Sequence, residues 1–241
     1  MFALTELNDY NKYIKDNYTY YFNNKPVPRV TEIIHKMISE ESIIQWANSL
    51  GFKHKGYTKA VNEAADLGTA VHQYIEMYLK TGIYDDTNSM LLNYNFSNCI
   101  NAFKAWYDTI AQNHIVNVLS QETPVVCEYY GGTYDLLIEI DGKKCLVDFK
   151  TTNKVTYKHF MQLSAYNRVL RSNGADIQYF LILQLSKTSP VYTEYVIDLN
   201  VPEHSIYFDR CEKTFLSLLY SYYNIQYLNK EFSVIEKEVK R

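Results

Sequence analysis

Apolar positions recur along this chain with two different periods. Ile33, Ile34, Met37, Ile38, Ile43, Ile44 and Trp46 keep helical spacing and predict a helix over about 32–49, with Thr31 as its cap and Gly51 and Gly56 beyond its end. Val71, Ile75 and Leu79 place a second helix over about 58–80, and a third is expected over about 87–113. The period then shortens. Strands are expected near 116–130, 133–140 and 144–150. Phe160, Leu163 and Leu170 restore helical spacing over about 156–172, and Gly174 stops it. Two more strands, near 179–183 and 190–197, precede a long helix over about 203–229. Residues 1–25 are polar and aromatic and read as a helix or a draped segment. Pro26 to Val30 reads as extended, because proline restricts itself and its predecessor. This order predicts an α/β fold with a central mixed β-sheet flanked by helices and an N-terminal helical extension. The length of 241 residues fits one domain, with an N-terminal helical segment over 1–56, a core over 57–200, and a C-terminal helix and tail over 201–241.

Within the strands, Asp141-Gly142 is a strong signal for a two-residue type I′ hairpin turn. Such a turn sets Ile140 against Lys143 and carries Asp135 directly across from Asp148. Opposed side chains in an antiparallel pair have Cβ atoms roughly 4.5–5.5 Å apart. Two carboxylates that close repel unless a cation lies between them. Lys150 shares the face of Asp148, two residues on. An acid on a strand is ordinarily solvated, and a Lys beside it is ordinarily a weak surface pair. Here the flanks are Leu136-Leu137-Ile138 and Leu146-Val147, where unpaired charge is costly. Together these features lay out a divalent-metal site with a cationic helper.

Further residues join that layout. His72 and Glu76 lie four apart on one helical face, after Gly68, which allows close backbone approach. Imidazole is a common partner of carboxylates around Mn²⁺-type ions. Glu122 precedes the hairpin and, like Glu128, either lines the same face or is an ordinary edge charge; of the two, Glu122 is the one expected to stand behind the ligands. Lys158, Gln162 and Tyr166 recur every four residues and share one helical face. Gln162 is placed to hold the carboxylates or Lys150, and Tyr166 to support the site or contact DNA.

Composition narrows the function classes. The four cysteines, Cys99, Cys127, Cys145 and Cys211, form no C-x-x-C pair, which argues against zinc and against an iron–sulfur cluster. Net charge is −3, which speaks against a protein that coats nucleic acid electrostatically but leaves room for a local basic groove. The 24 tyrosines are explained more economically by biased base composition of the coding sequence or by core packing than by base stacking. No apolar run is long enough to cross a bilayer, and the N-terminus lacks a signal-peptide layout. A soluble cytoplasmic protein without membrane partners is expected.

Taken in order, the motifs resemble a family. Val27-Pro28-Arg29-Val30-Thr31-Glu32-Ile33-Ile34, then Gly68-Thr69-Ala70-Val71-His72 with Glu76, are similar to the first motifs of RecB-like nucleases. Gly132-Thr133-Tyr134-Asp135, Asp148-Phe149-Lys150-Thr151-Thr152 and Gln162-Leu163-Ser164-Ala165-Tyr166 resemble the next three. The chain thus resembles the PD-(D/E)XK nuclease superfamily, in its RecB-like and phage-exonuclease branch, over about residues 26–185. The mitochondrial genome maintenance exonuclease belongs to the same broad group.

The resemblance implies a restriction-endonuclease-like core. It implies that His72, Asp135, Asp148 and the Phe149 carbonyl bind Mg²⁺ or Mn²⁺. Lys150 would position or deprotonate water and stabilise the charged phosphorane. Glu76, Glu122, Gln162, Tyr166, Thr151 and Lys158 would support the site or contact DNA. The chain departs from the family in three places. No proline precedes Asp135, the four-cysteine cluster of some relatives is missing, and Arg29 replaces a small polar residue. The expected activity is Mg²⁺- or Mn²⁺-dependent DNA hydrolysis, most simply as an exonuclease on DNA ends or single strands. Its expected setting is recombination, repair or replication, alongside proteins of those processes and in a phage-encoded context. A catalytically silent DNA-binding or assembly module and a structure-specific endonuclease are the alternatives.

Overall fold

In a computed structural model of the chain, residues 12–14, 19–38 and 57–239 are described. Three short strands, β1 (Lys12–Ile14), β2 (Thr19–Phe22) and β3 (Lys25–Val27), form a small antiparallel sheet. The described residues among 1–25 are strands, where a helix or a draped segment is expected. Asn23 and Asn24 both take positive φ, 48° and 60°, so the chain reverses as a hairpin. The alternate burial of Tyr20 and Phe22 is a strand's. Helix α1 (Val30–Met37) follows, with Arg29 rather than Thr31 at its N-cap. The remainder of the helix expected over 32–49 lies outside the described residues beyond Ile38, as do Gly51, Gly56 and residues 1–11.

Helix α2 (Tyr57–Thr81) agrees closely with expectation. The next helix does not start near 87. Asn88 caps a short 3₁₀ turn, Ser89–Leu92, and Asn93 caps α3 (Tyr94–Asn113) by accepting from the amides of Asn95 and Phe96. These side chains give the backbone an alternative to one continuous helix. Strands β4 (Val116–Val126), β5 (Gly131–Ile140) and β6 (Lys143–Lys150) come next. Then come α4 (Tyr157–Ser172), β7 (Tyr179–Leu185), β8 (Tyr192–Asp198) and α5 (Pro202–Val239).

Strands β4 to β8 form one sheet in chain order. The β4–β5, β5–β6 and β7–β8 pairs are antiparallel, while β6–β7 is parallel and is crossed by α4. Both faces are buried. Leu146, Phe180 and Ile182 pack with Ile33, Leu163 and Phe215, which come from α1, α4 and α5. Val147, Leu181 and Leu183 pack with Val71, Ile75, Phe103 and Trp106, which come from α2 and α3. Neighbouring residues on β6 and β7 thus serve opposite layers, as the strand period requires. The result is a mixed α/β fold consistent with the expected restriction-endonuclease-like core. Among the described residues no helix is long and apolar enough to cross a membrane.

Two glycines let the layers touch. A Cβ on Gly131 would stand 2.6 Å from the Tyr20 ring, and one on Gly132 would stand 2.2 Å from the Tyr166 ring. The start of β5 is therefore pressed between the small sheet and α4.

Candidate metal centre

The β5–β6 hairpin turns at Asp141 (φ 49°) and Gly142 (φ 77°), both left-handed as a type I′ turn needs. Ile140 pairs with Lys143 and Leu136 with Val147, so the next step along the ladder sets Asp135 beside Asp148. Both acids are buried, Asp148 almost wholly, at 1% exposure. The Phe149 amide donates to Asp135 Oδ2 at 2.6 Å.

A third acid arrives from β4. Gln121 pairs with Leu136 and Thr123 with Tyr134, so Glu122 falls opposite Asp135. A shift in pairing between Val118 and Ser120 makes this possible. Without that extra residue Glu122 would face Tyr134 instead, because a one-residue slip moves every side chain. Glu122 itself sits at φ 44°, an uncommon conformation for a residue with a side chain. Sequence reading gave Glu122 only a supporting place. The bulge that promotes it leaves no signal in side-chain pattern, although Pro124 hints at irregular pairing.

His72 comes from the middle of α2. Its Nδ1 lies 3.6 Å from Glu122 Oε1 and 3.5 Å from Asp135 Oδ1. Those separations are too long for good hydrogen bonds. Its Nε2 is 3.2 Å from the Phe149 carbonyl oxygen. The carbonyl expected to join the ligands is thus met by the far side of the imidazole, where it accepts the Nε2–H and orients the ring. The His72 ring also meets the Phe149 ring edge-on.

On the α4 side, Lys150 Nζ lies 2.8 Å from Asp148 Oδ1 and 2.7 Å from Oδ2. Its hydrogen bond goes to Oδ1, which also accepts from Gln162 Nε2 at 3.1 Å. Oδ2 is buried with no hydrogen-bond partner. Gln162 Nε2 also donates to the Tyr166 hydroxyl at 3.2 Å. Tyr166 is 3% exposed.

The remaining expected residues stand further out. The Glu76 carboxylate is engaged with Lys80, 2.5 Å away. The Glu76 carbonyl accepts from Gln121 Nε2. Thr151 lies against α2 at Gly68, where a Cβ would meet its Oγ1 at 3.6 Å. Lys158 is buried and donates to the Ile38 carbonyl at 3.2 Å, so it closes the α1–α4 junction.

The charges are strongly coupled. Burial works against a charged His72, but Asp135 and Glu122 outweigh it and lift its pKa to about 10. Burial alone would raise Asp135; His72, Lys150 and the Phe149 amide hold it below the usual carboxylate range. Burial pushes Asp148 up to about 6, Asp135 adds to the rise, and Lys150 opposes it. Burial disfavours the Lys150 ammonium, yet Asp148 and Asp135 more than restore it.

These residues fit a hard divalent cation. One ligand atom each from His72, Glu122 and Asp135 lie within 4.8 Å of one another. Cis ligands at roughly 2.1 Å from an octahedral ion stand about 3 Å apart, close to the His72–carboxylate separations. Asp148 Oδ2 lacks an aligned hydrogen bond but has the Lys150 ammonium 2.7 Å away. Charge also balances: three carboxylates, the Lys150 ammonium, a neutral imidazole and a +2 ion sum to zero.

No protein-family profile matches the chain, and no curated protein matches it. Among solved structures, the chain is similar to the protein SSO0001, at 14% identity over 80% of this chain and 75% of that one, with a TM-score of 0.37. It is also similar to an alkaline exonuclease from Laribacter hongkongensis, at 15% identity over 69% of this chain and 86% of that one, with a TM-score of 0.31.

Proposed function

We propose that this protein is a metal-dependent DNA nuclease that hydrolyses phosphodiester bonds, acting as an exonuclease on DNA ends or single strands. One observation carries the reading: His72, Glu122 and Asp135, remote in sequence, converge within 4.8 Å beside the Asp148–Lys150 pair. Two buried acids with a third, half-buried one beside them are costly, and a protein without use for them would replace them by apolar residues. The order of the five sequence motifs supports the same reading.

His72, Glu122, Asp135 and Asp148 would hold Mg²⁺ or Mn²⁺. When bound, such an ion acidifies water and cancels charge on phosphate oxygens. Lys150 keeps its ammonium beside Asp148 and adds fixed positive charge where a phosphorane would gather negative charge. Gln162 holds Asp148 and is itself held by Tyr166. Phe149 fixes both Asp135, through its amide, and His72, through its carbonyl. The site is thus pre-set by β6 and α4, which lowers the reorganisation needed at reaction.

The test is degradation of end-labelled linear DNA with Mg²⁺ or Mn²⁺ by wild type, Asp148→Ala and Lys150→Ala. Loss in both variants is expected; equal activity in all three removes the assignment. Circular single-stranded and duplex DNA should be spared, and cutting of either converts the reading to an endonuclease. Metal-independent DNA binding without cleavage would instead mark a silent module.

A further inference from the structure

The residue that ends β6 begins a row across the sheet. Lys150 pairs with Gln184 on β7, and Gln184 pairs with Thr193 on β8. Registered partners share a face and lie about 4.8 Å apart, so the row runs roughly 10 Å outward from Lys150. That face is the α4 side, because Asp148, two residues before Lys150, is held there by Gln162. In the next row Tyr195 stands opposite Ile182 on the same side. Thr193 is exposed, and Tyr195 is 37% exposed. Strands β6 and β7 are parallel and both end here. Open α/β sheets take their ligands beyond the carboxyl ends of such strands.

A chain of hydrogen bonds holds this surface still. The Tyr195 hydroxyl donates to Gln184 Oε1 at 3.3 Å, and Gln184 Nε2 donates to the Thr152 carbonyl at 2.7 Å. Thr152 Oγ1 then donates to the Lys154 carbonyl at 3.2 Å. Strand β8 is thereby tied to the loop that follows Lys150, on which Thr152, Asn153 and Lys154 are exposed.

Its charge runs against that of the chain. The protein carries a net charge of −3, yet from Phe149 to Thr193 four lysines and two arginines face a single acid, Asp176. Arg168 and Arg171 are engaged with Glu212, and Lys158 with the Ile38 carbonyl, which leaves Lys154 as the cation of the exposed loop. Asp176 precedes β7 and so lies at the other end of that strand. Residues 150–157 and 184–193, which build the surface, contain no acid. Glu194, next in the chain, turns to the opposite face of the sheet, where it accepts from Trp106 Nε1 at 2.8 Å. A polar strand end is ordinarily only solvated, but this one starts at Lys150, is free of acids and is fixed by its own hydrogen bonds. We infer that it carries the sugar–phosphate backbone of the DNA strand held at the metal centre, with Lys154, Thr193 and the Gln184–Tyr195 pair against its phosphates. The inference rests on the nuclease reading of that centre. Side chains of these types meet phosphate oxygens without reading bases, so binding should be independent of sequence and weakened by salt.

Fluorescence anisotropy with a short labelled oligothymidylate, in EDTA so that nothing is cut, tests this. Lys154→Glu and Thr193→Glu should each weaken binding about three- to tenfold, and Lys154→Glu should lower the salt slope by about 0.7. Thr193→Arg should bind more tightly than wild type, a gain that a misfolded variant could not give. Lys143→Glu makes the same charge change at the far end of β6 and should bind like wild type. The inference is overturned by a wild type that does not bind, by unchanged affinity in both glutamate variants, by no gain in Thr193→Arg, or by an equal loss in Lys143→Glu. Cleavage by wild type with Mg²⁺ or Mn²⁺ judges the nuclease reading separately. Cutting with unchanged affinities removes this surface alone, and shifted affinities without cutting remove the nuclease alone.

Discussion

Replacing Gly132 by alanine should loosen the candidate site from behind. The new methyl would stand 2.2 Å from Tyr166 Cε1 and 2.7 Å from its hydroxyl oxygen. Ordinary carbon contacts lie at about 3.5–4 Å, so ring or strand must move by more than an ångström. Neither moves freely, because Tyr166 is buried in the α4 layer and Gly132 pairs with Val125 on β4. Overpacking of this kind costs about 1–3 kcal/mol. In a chain of this size each kcal/mol lowers the melting temperature by about 2–4 °C, so a fall of roughly 2–12 °C is expected. The displacement also reaches function, since the Tyr166 hydroxyl accepts from the Gln162 amide that holds Asp148. Thermal melts of Gly132→Ala, Tyr166→Leu and the double variant form the assay. Removing the ring makes room, so the double variant should be more stable than additivity predicts by about 1–3 kcal/mol. An unchanged melting temperature for Gly132→Ala, or strict additivity, would refute the close packing and its link to the carboxylate.

Four further expectations concern the metal and the thiols. Mn²⁺ at about 100 times its Kd should add about 2.7 kcal/mol of stability in a thermal-shift assay. Glu122→Gln should weaken that binding by roughly 10–100-fold, the scale found even for groups behind a metal ligand. An unchanged Mn²⁺ affinity would remove Glu122 from the site. Ligation needs a neutral imidazole, and His72 keeps its proton up to about 10, so Mn²⁺ affinity should rise with pH between 6 and 8, with proton release by calorimetry. All four cysteines should resist a thiol reagent at pH 8 until the protein is unfolded, because burial raises Cys99 to about 11, Cys145 to about 12, and Cys127 and Cys211 above their usual value. Fast labelling of even one thiol in the native state would contradict the packing.

The hairpin was legible in the chain because both of its determinants are local. Asp141-Gly142 specifies the turn, and a two-residue turn leaves one register, which puts Asp148 beside Asp135. Lys150 and the stack of Gln162 on Tyr166 follow from strand and helix periods alone. Most element positions were readable for the same reason. The N-terminal strands were not, since Asn23-Asn24 turns through two unusual φ values and aromatic residues suit either state. Glu122 became a ligand candidate only through a bulge, which changes pairing without changing composition. The direction of the His72 ring, with Nδ1 toward the acids and Nε2 toward the Phe149 carbonyl, needed the approach of α2 to the sheet. Local chemistry determined which groups share a strand or a helix face. Only packing decided which of those faces meet, because that depends on how buried surfaces far apart in the chain fit together.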